Sequence, residues 1–231
     1  MFSPFLVLCA VVSAPTSTDV VAQSPPAAGA ASLNIIRSYK EGELTRYEIT
    51  AELVLEGSNG SARALLESKV VKAHPDGTAD VSITPKEFSM VVDGSEMVDG
   101  LPEPFEAKFD RHGLPDVVEV RDHRFAYALL VISSYAPGPT QLKKEFGIVW
   151  KAKDGNSTIS GKGAVVEVTK EQGMALVVLQ SSCEVSPSED TPGRLKCKAW
   201  IELESGKLVR CEGTVEVGDG AVIKYKIKRM P

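Results

Sequence analysis

Long runs of this chain alternate apolar and polar residues with a period of two. In "LTRYEITAELVLEG" (44–57), Leu44, Arg46 and Glu48 alternate with Thr45, Tyr47 and Ile49, and the run ends in "SNG". Alternation of that period predicts a half-buried strand bounded by a turn. "ARALLESKVVKAHPDGTADVSI" (62–83) holds two β-rich runs joined at Asp76-Gly77, the dipeptide of a tight hairpin. "EFSMVVDG", "PFEAKFDRHG" and "LPDVVEV" follow as short strands. From "FGIVWKAK" to "AVIKYKIKRM" the pattern is strand again, broken by "KEQG", "SPSEDTPG", "SG" and "DG". This spacing of strands and turns predicts a hairpin meander.

The period changes once, at "DHRFAYALLVISSYAPGP" (122–139). Asp122 can cap a first turn, and Phe125, Ala128, Leu129 and Ile132 fall at i, i+3, i+4 and i+7. The spacing predicts one central helix over about 123–135, stopped by "APGP". Tyr127, Leu130 and Val131 extend its apolar surface to a second side. That surplus suits a lid over the sheet, and the run is too short to span a bilayer. Phe125, Tyr127, Leu130 and Val131 are therefore candidate ligand contacts. Trp150, just after the Pro-Gly connection, either anchors the helix to the sheet or lines a pocket with them.

The two halves, about 33–121 and 140–231, are similar. "SKVVKAHPDGTADVSI" (68–83) aligns with "GAVVEVTKEQGMALVVL" (163–179), and "FDRHGLPDVVEV" (109–120) with "LESGKLVRCEGTV" (203–215), in the same order. An internal duplication is the reading this order favours.

The first 22 residues, with the apolar run Phe5 to Val12 and small residues Val20 and Ala22 before Gln23, have the form of a secretory signal peptide. Bulky Leu8 before Cys9 argues against lipidation there. Residues 23–32 are a Pro, Ala, Gly and Ser linker, leaving 33–231 as a single β-rich domain. Export implies an oxidising compartment for Cys183, Cys197 and Cys211. Around the loop 187–192, burial places Val185 opposite Leu195, Cys183 opposite Cys197 and Leu179 opposite Ile201. The next hairpins place Ala199 opposite Cys211, Tyr225 opposite Gly213 and Val217 opposite Ala221. A cross-strand disulfide between Cys183 and Cys197 follows, worth about 3 kcal/mol in the chain-entropy model. Buried free thiols are the other reading.

Composition narrows the function classes. The chain has 231 residues, 43% hydrophobic and 25% charged, with net charge -5 and the signs interspersed. No basic field of the kind that holds nucleic acid is present. His74, His112 and His123 are scattered, and "GSNGS" lacks the Lys-Ser/Thr of a phosphate loop. No nucleophile elbow, zinc motif or cofactor motif occurs, so no catalytic residue, metal or cofactor is expected.

The leader, the two similar meanders and the apolar helix between them resemble the half-barrels of bacterial lipoprotein carriers of the LolA, LolB and LppX type. The spacings in "FDRHGLPDVV" and "FGIVW" are also similar to those of uncharacterised secreted bacterial β-proteins. The resemblance covers about residues 33–230 and implies a curved antiparallel sheet around a greasy cavity. No functional residue is carried over. The sequence thus leads to an exported, non-catalytic, mainly β half-barrel with one helix and no transmembrane segment. Its concavity would hold a lipid or other apolar small molecule. The alternative is a structural or protein-interaction module of the cell envelope with a solid core.

Overall fold

A computed structural model describes residues 32–55, 57–96, 101, 103–116, 130, 131, 133, 135, 138–151, 158–186, 193–217 and 220–231. The predicted leader, linker and most of the predicted helix, including Phe125 and Tyr127, lie outside these residues. Of the stretch 123–135, Leu130, Val131 and Ser133 are described with helical backbone. No helix stands among the described elements, which are all strands.

Thirteen strands follow one another: β1 (Ser32–Leu33), β2 (Leu44–Leu55), β3 (Ser58–Ala73), β4 (Ala79–Val92), β5 (Ser95–Glu96), β6 (Phe105–Phe109), β7 (Thr140–Gln141), β8 (Glu145–Lys151), β9 (Thr158–Glu171), β10 (Met174–Ser186), β11 (Gly193–Glu202), β12 (Leu208–Val217) and β13 (Ala221–Met230). Eleven form one antiparallel sheet in the order β5-β4-β3-β2-β13-β12-β11-β10-β9-β8, with β6 also on β4; β1 and β7 pair separately. The sheet is open, ending at β8 and β4. Antiparallel pairing of strands consecutive in sequence accounts for every link but two, β4 with β6 and β2 with β13. The last strand, β13, inserts beside β2 and ties the two meanders together through pairs such as Tyr225 with Ala51 and Ile227 with Ile49.

One face of the sheet is the core. Tyr47, Ile49, Leu66, Val81, Ile83, Val165, Leu179, Leu195, Ala199, Val215 and Ile227 all point into it and are buried. Their spacing by two within each strand is the alternation read from the sequence. The free edge of β4 between its pairings with β5 and β6 carries Pro85, and Lys86 there makes a bulge against Leu65 and Leu66. Proline, lysine and a bulge together discourage edge-to-edge pairing with another chain.

The segments aligned between the halves carry the same local geometry. Val71 is an extra residue in β3 between the pairs Val70–Val81 and Lys72–Asp80. Val166, its aligned counterpart, is the extra residue in β9 between Val165–Leu179 and Glu167–Val178. The turns are alike in closing on a glycine but differ by one residue in length. Asp110 N–H donates to Leu114 O and Gly113 N–H to Asp110 O, as Glu202 N–H donates to Lys207 O and Gly206 N–H to Glu202 O. Both glycines have positive φ, 85° and 66°, where a residue without Cβ is favoured.

A short N-terminal strap, residues 34–40, lies across both of these turns. Arg37 N–H donates to Arg111 O and Ser38 N–H to Ser205 O, each at 2.9 Å. Tyr39 Oη donates to Asp110 O at 2.9 Å, and burial pushes the Tyr39 hydroxyl up to about 12. Ile35 anchors the strap in the core at 2% exposure.

The register at the cysteine loop corrects the expectation. Cys183 pairs with Leu195, Cys197 with Ser181, and Val185 with Gly193, two residues away from the predicted pairing. A slip of two keeps every side chain on its face, so burial could not exclude it. Cys183 and Cys197 are then diagonal neighbours, and all three described cysteines are free and buried. The later pairings stand as read: Ala199 with Cys211, Gly213 with Tyr225 and Val217 with Ala221. Peptide mapping of unreduced protein is expected to find no link between Cys183 and Cys197. All three thiols should stay unreactive to a water-soluble disulfide reagent until urea unfolds the chain. A Cys183–Cys197 peptide would restore the shifted register.

Candidate functional site

Of the predicted ligand residues, the described ones, Leu130, Val131 and Trp150, are buried. Leu130 and Val131 are 7% and 2% exposed. With Arg37, Tyr39, Tyr47 and Phe109 they line a cavity of about 40 Å³ beneath the strap, room for little more than a water molecule. Nε and Nη2 of Arg37 are buried there without a hydrogen-bond partner among the described residues. At its rim Lys207 Nζ pairs with Glu43. Trp150 is not brought to this cavity. It is 9% exposed, and its Nε1–H donates to Pro115 O at 3.1 Å.

A second group on the core side is polar. Ser133 Oγ and Tyr225 Oη lie 2.9 Å apart, and Cys197, Cys211 and Ser181 adjoin them. Burial, with the Cys197 thiol beside it, pushes the Cys211 thiol well above its ordinary range. Cys197 is held below its own by hydrogen bonds, from Cys211 foremost and then from Tyr225, Ser133 and Ser181. Burial pushes the Cys183 thiol up to about 12. The groups that hydrogen-bond Cys197 are one thiol and three hydroxyls.

The register also aligns one transverse row across nine strands: Phe146, Gly163, Ser181, Cys197, Gly213, Tyr225, Ala51, Ala62 and Met90. Small residues fill most of it. On the core side the glycines are roofed by aromatic rings. A Cβ built on Gly163 would stand 2.5 Å from the Phe146 ring, and one on Gly213 2.4 Å from the Tyr225 ring. Such cross-strand aromatic cover restores the packing that glycine removes.

On the opposite face, along the same line, lies an open trough of about 1180 Å³. Its walls are the outward residues on either side of the small row. The bulky inward ends of that row, Phe146 and Met90, do not line it, whereas Glu145, Ser89 and Val91 do. The trough therefore lies on the solvent face, where a small residue beneath leaves the backbone close to the surface. Lys162, Lys196, Lys198, Lys224, Lys226 and Arg63 face Glu52, Glu145 and Glu212 along it, with Thr50, Ser61, Gln180, Ser182 and Thr214 between.

One end of the trough adjoins Trp200, the outward tryptophan of β11. Arg210 stands 4.2 Å from the centre of its ring and Lys198 Nζ 5.0 Å, within cation–π range. Arg210 also holds Glu171 through both guanidinium ends at 2.6 and 2.8 Å. That pair keeps the Glu171 carboxyl below the usual range.

The trough was not visible in the sequence. "KYKIKRM" gives the lysines of β13 as a wet strand face, which they are. The hairpin pairings read for the last three strands place Lys196 and Lys198 two strands away from Lys224 and Lys226, but nothing local says that β9, β10, β2 and β3 continue the same line. The strap was not visible either, because residues 34–40 have no period. Among the described residues, no group of three or more His, Cys, Asp or Glu could hold a metal ion, and no helix is long and apolar enough to cross a membrane. No protein-family model matches the chain, and no curated protein matches it either.

Proposed function

We propose that this chain is an exported, non-catalytic interaction module of the cell envelope, with a core packed by its own side chains and a partner that meets the solvent face of the sheet. The contrast between the two faces carries the reading: about 40 Å³ of cavity beneath Leu130 and Val131 against about 1180 Å³ of open trough on the other side. An apolar ligand site is expected to offer several hundred cubic ångströms of enclosed, mostly apolar space. The matching bulges at Val71 and Val166 support descent of the two meanders from one duplicated unit. The open antiparallel sheet is also what likeness to a half-barrel carrier would require.

Binding of a lipid in the concavity is the competing function, and it needs the strap and the segment around Leu130 to lift. Leu130→Ala separates the two. A filled core predicts a loss of about 2–5 kcal/mol in urea unfolding, with no change in the weak binding of an apolar fluorescent probe. A native mass spectrum after mild purification should then give the bare chain mass. A lipid retained at one to one, or a Leu130→Ala protein of near-normal stability that has lost probe binding, would reverse the assignment.

A further inference from the structure

We propose that the solvent-face trough binds a linear anionic polysaccharide with a carboxylate on alternate sugars. The proposal rests on the reading that the solvent face is the partner surface, and it names the partner's chemistry.

The charge there departs from that of the whole chain. Six cations face three carboxylates along the trough, in a protein whose net charge is -5. Lys196 and Lys198 of β11 and Lys224 and Lys226 of β13 stand at the corners of a rectangle, with Thr214 and Glu212 of β12 between them. Two strand spacings separate the sides that run along the strands by roughly 10 Å, and two residues along a strand make those sides about 7 Å long. The first distance is close to the length of one disaccharide. None of these four lysines forms a salt bridge among the described residues. Lys162, by contrast, is paired with Glu145 at 3.2 Å and Arg63 with Glu48 at 2.8 Å. The four ammonium groups thus have no carboxylate partner among the described residues, and Lys198 alone of them also meets a ring, that of Trp200. The hydroxyls and amide of Thr50, Ser61, Gln180, Ser182 and Thr214 suit the hydroxyl-rich stretches between them.

Other polyanions fit less well. Glu212 sits between Lys198 and Lys226, and Glu52 beside Lys224. Those carboxylates would oppose a duplex that carries a charge every ~1.7 Å. The trough offers little aromatic platform for stacking bases, since the Tyr225 ring is on the core side and Trp200, at one end, is covered by Arg210 and Lys198. It also lacks the large apolar anchors that a membrane surface or a folded protein partner would use.

The test is calorimetric titration of the purified protein with a hyaluronan octasaccharide at low ionic strength. A neutral N-acetylglucosamine oligomer and a single-stranded DNA of equal charge serve as comparisons. Hyaluronan should bind, should weaken as salt screens the lysines, and should protect Lys196, Lys198, Lys224 and Lys226 from acetylation. Lys196→Glu with Lys224→Glu should weaken it at least tenfold at unchanged melting temperature, and Lys196→Gln with Lys224→Gln should do so to a smaller extent. Lys151→Glu, outside the trough, should change nothing. Absence of hyaluronan binding, equal binding by both double variants, or tighter binding of DNA would overturn the proposal. Failure of the underlying reading has a separate signature, the retained lipid in the native mass spectrum.

Discussion

Gly206→Ala is expected to unfold at much lower urea than the parent protein, with a loss of roughly 2–5 kcal/mol. Two causes add at this position. Its φ of +66° is costly for any residue with a Cβ, at about 1–2 kcal/mol. The new methyl would also stand 2.5 Å from Ile36 O and 2.8 Å from the Arg37 Cα. Both are backbone atoms that no rotamer change can move, and overpacking of that kind costs about 1–3 kcal/mol. Gly173 isolates the first cause. Its φ is +87°, yet a Cβ there meets nothing within 4 Å, so Gly173→Ala should lose only about 1–2 kcal/mol. The difference between the two variants measures the seat of the strap. If the strap is displaced, the bond from Ser38 N–H to Ser205 O breaks, and trypsin should cut after Arg37 faster in Gly206→Ala than in Gly173→Ala. Equal stability and equal cleavage in the two variants would show that the strap does not rest on this turn.

Tyr225→Ala is expected to lose about 3–5 kcal/mol, the usual cost of truncating a buried aromatic residue. Tyr225 is 2% exposed, covers Gly213 and meets the Ser133 hydroxyl. Gly213→Ala alone should also be costly, because its methyl would enter the ring. Once Tyr225 is alanine the ring is gone, and the same Gly213→Ala change should cost little. The two substitutions should therefore be non-additive, with a coupling of about 0.5–3 kcal/mol, read from urea unfolding of the four proteins in the cycle. Additive losses would mean that the ring and the glycine do not share one space. Tyr225→Phe provides a finer reading: it keeps the ring but leaves the Ser133 hydroxyl without its partner, at about 1–3 kcal/mol.

The pairing of Tyr225 with Gly213 could be read from the sequence, because the short "VGDGA" connection leaves little freedom in how its strands meet. The pairing of Cys183 could not. The loop 187–192 is long enough to accept either of two registers that bury the same residues, and the structure takes the one centred on Glu189. The sheet class was legible for the same reason, since a period of two survives any even slip. The similarity of the halves was legible as residue order, while its physical content, an extra valine in each, needed the strand pairing. Leu130 and Val131 were recognised as apolar, but their spacing could not say whether a ligand or the chain itself fills the space beside them. The lysine rectangle depends on which strands are neighbours, and that information is spread from residue 196 to residue 226.

The insertion of β13 beside β2 has a consequence for how the chain comes into being. The first meander is complete in sequence by Phe109, yet one long edge, β2, has no neighbour until the final ten residues emerge. Until then its amide and carbonyl groups are open to any extended segment that passes, its own or a neighbour's. Closing that edge joins residues nearly the whole chain apart, a step that cannot run ahead of synthesis and is slow by nature. A chain stopped short of Ala221 would therefore lose more than one strand, because both meanders would be left with a bare edge. That dependence on β13 delays commitment to the final fold until residues 221–230 have been made.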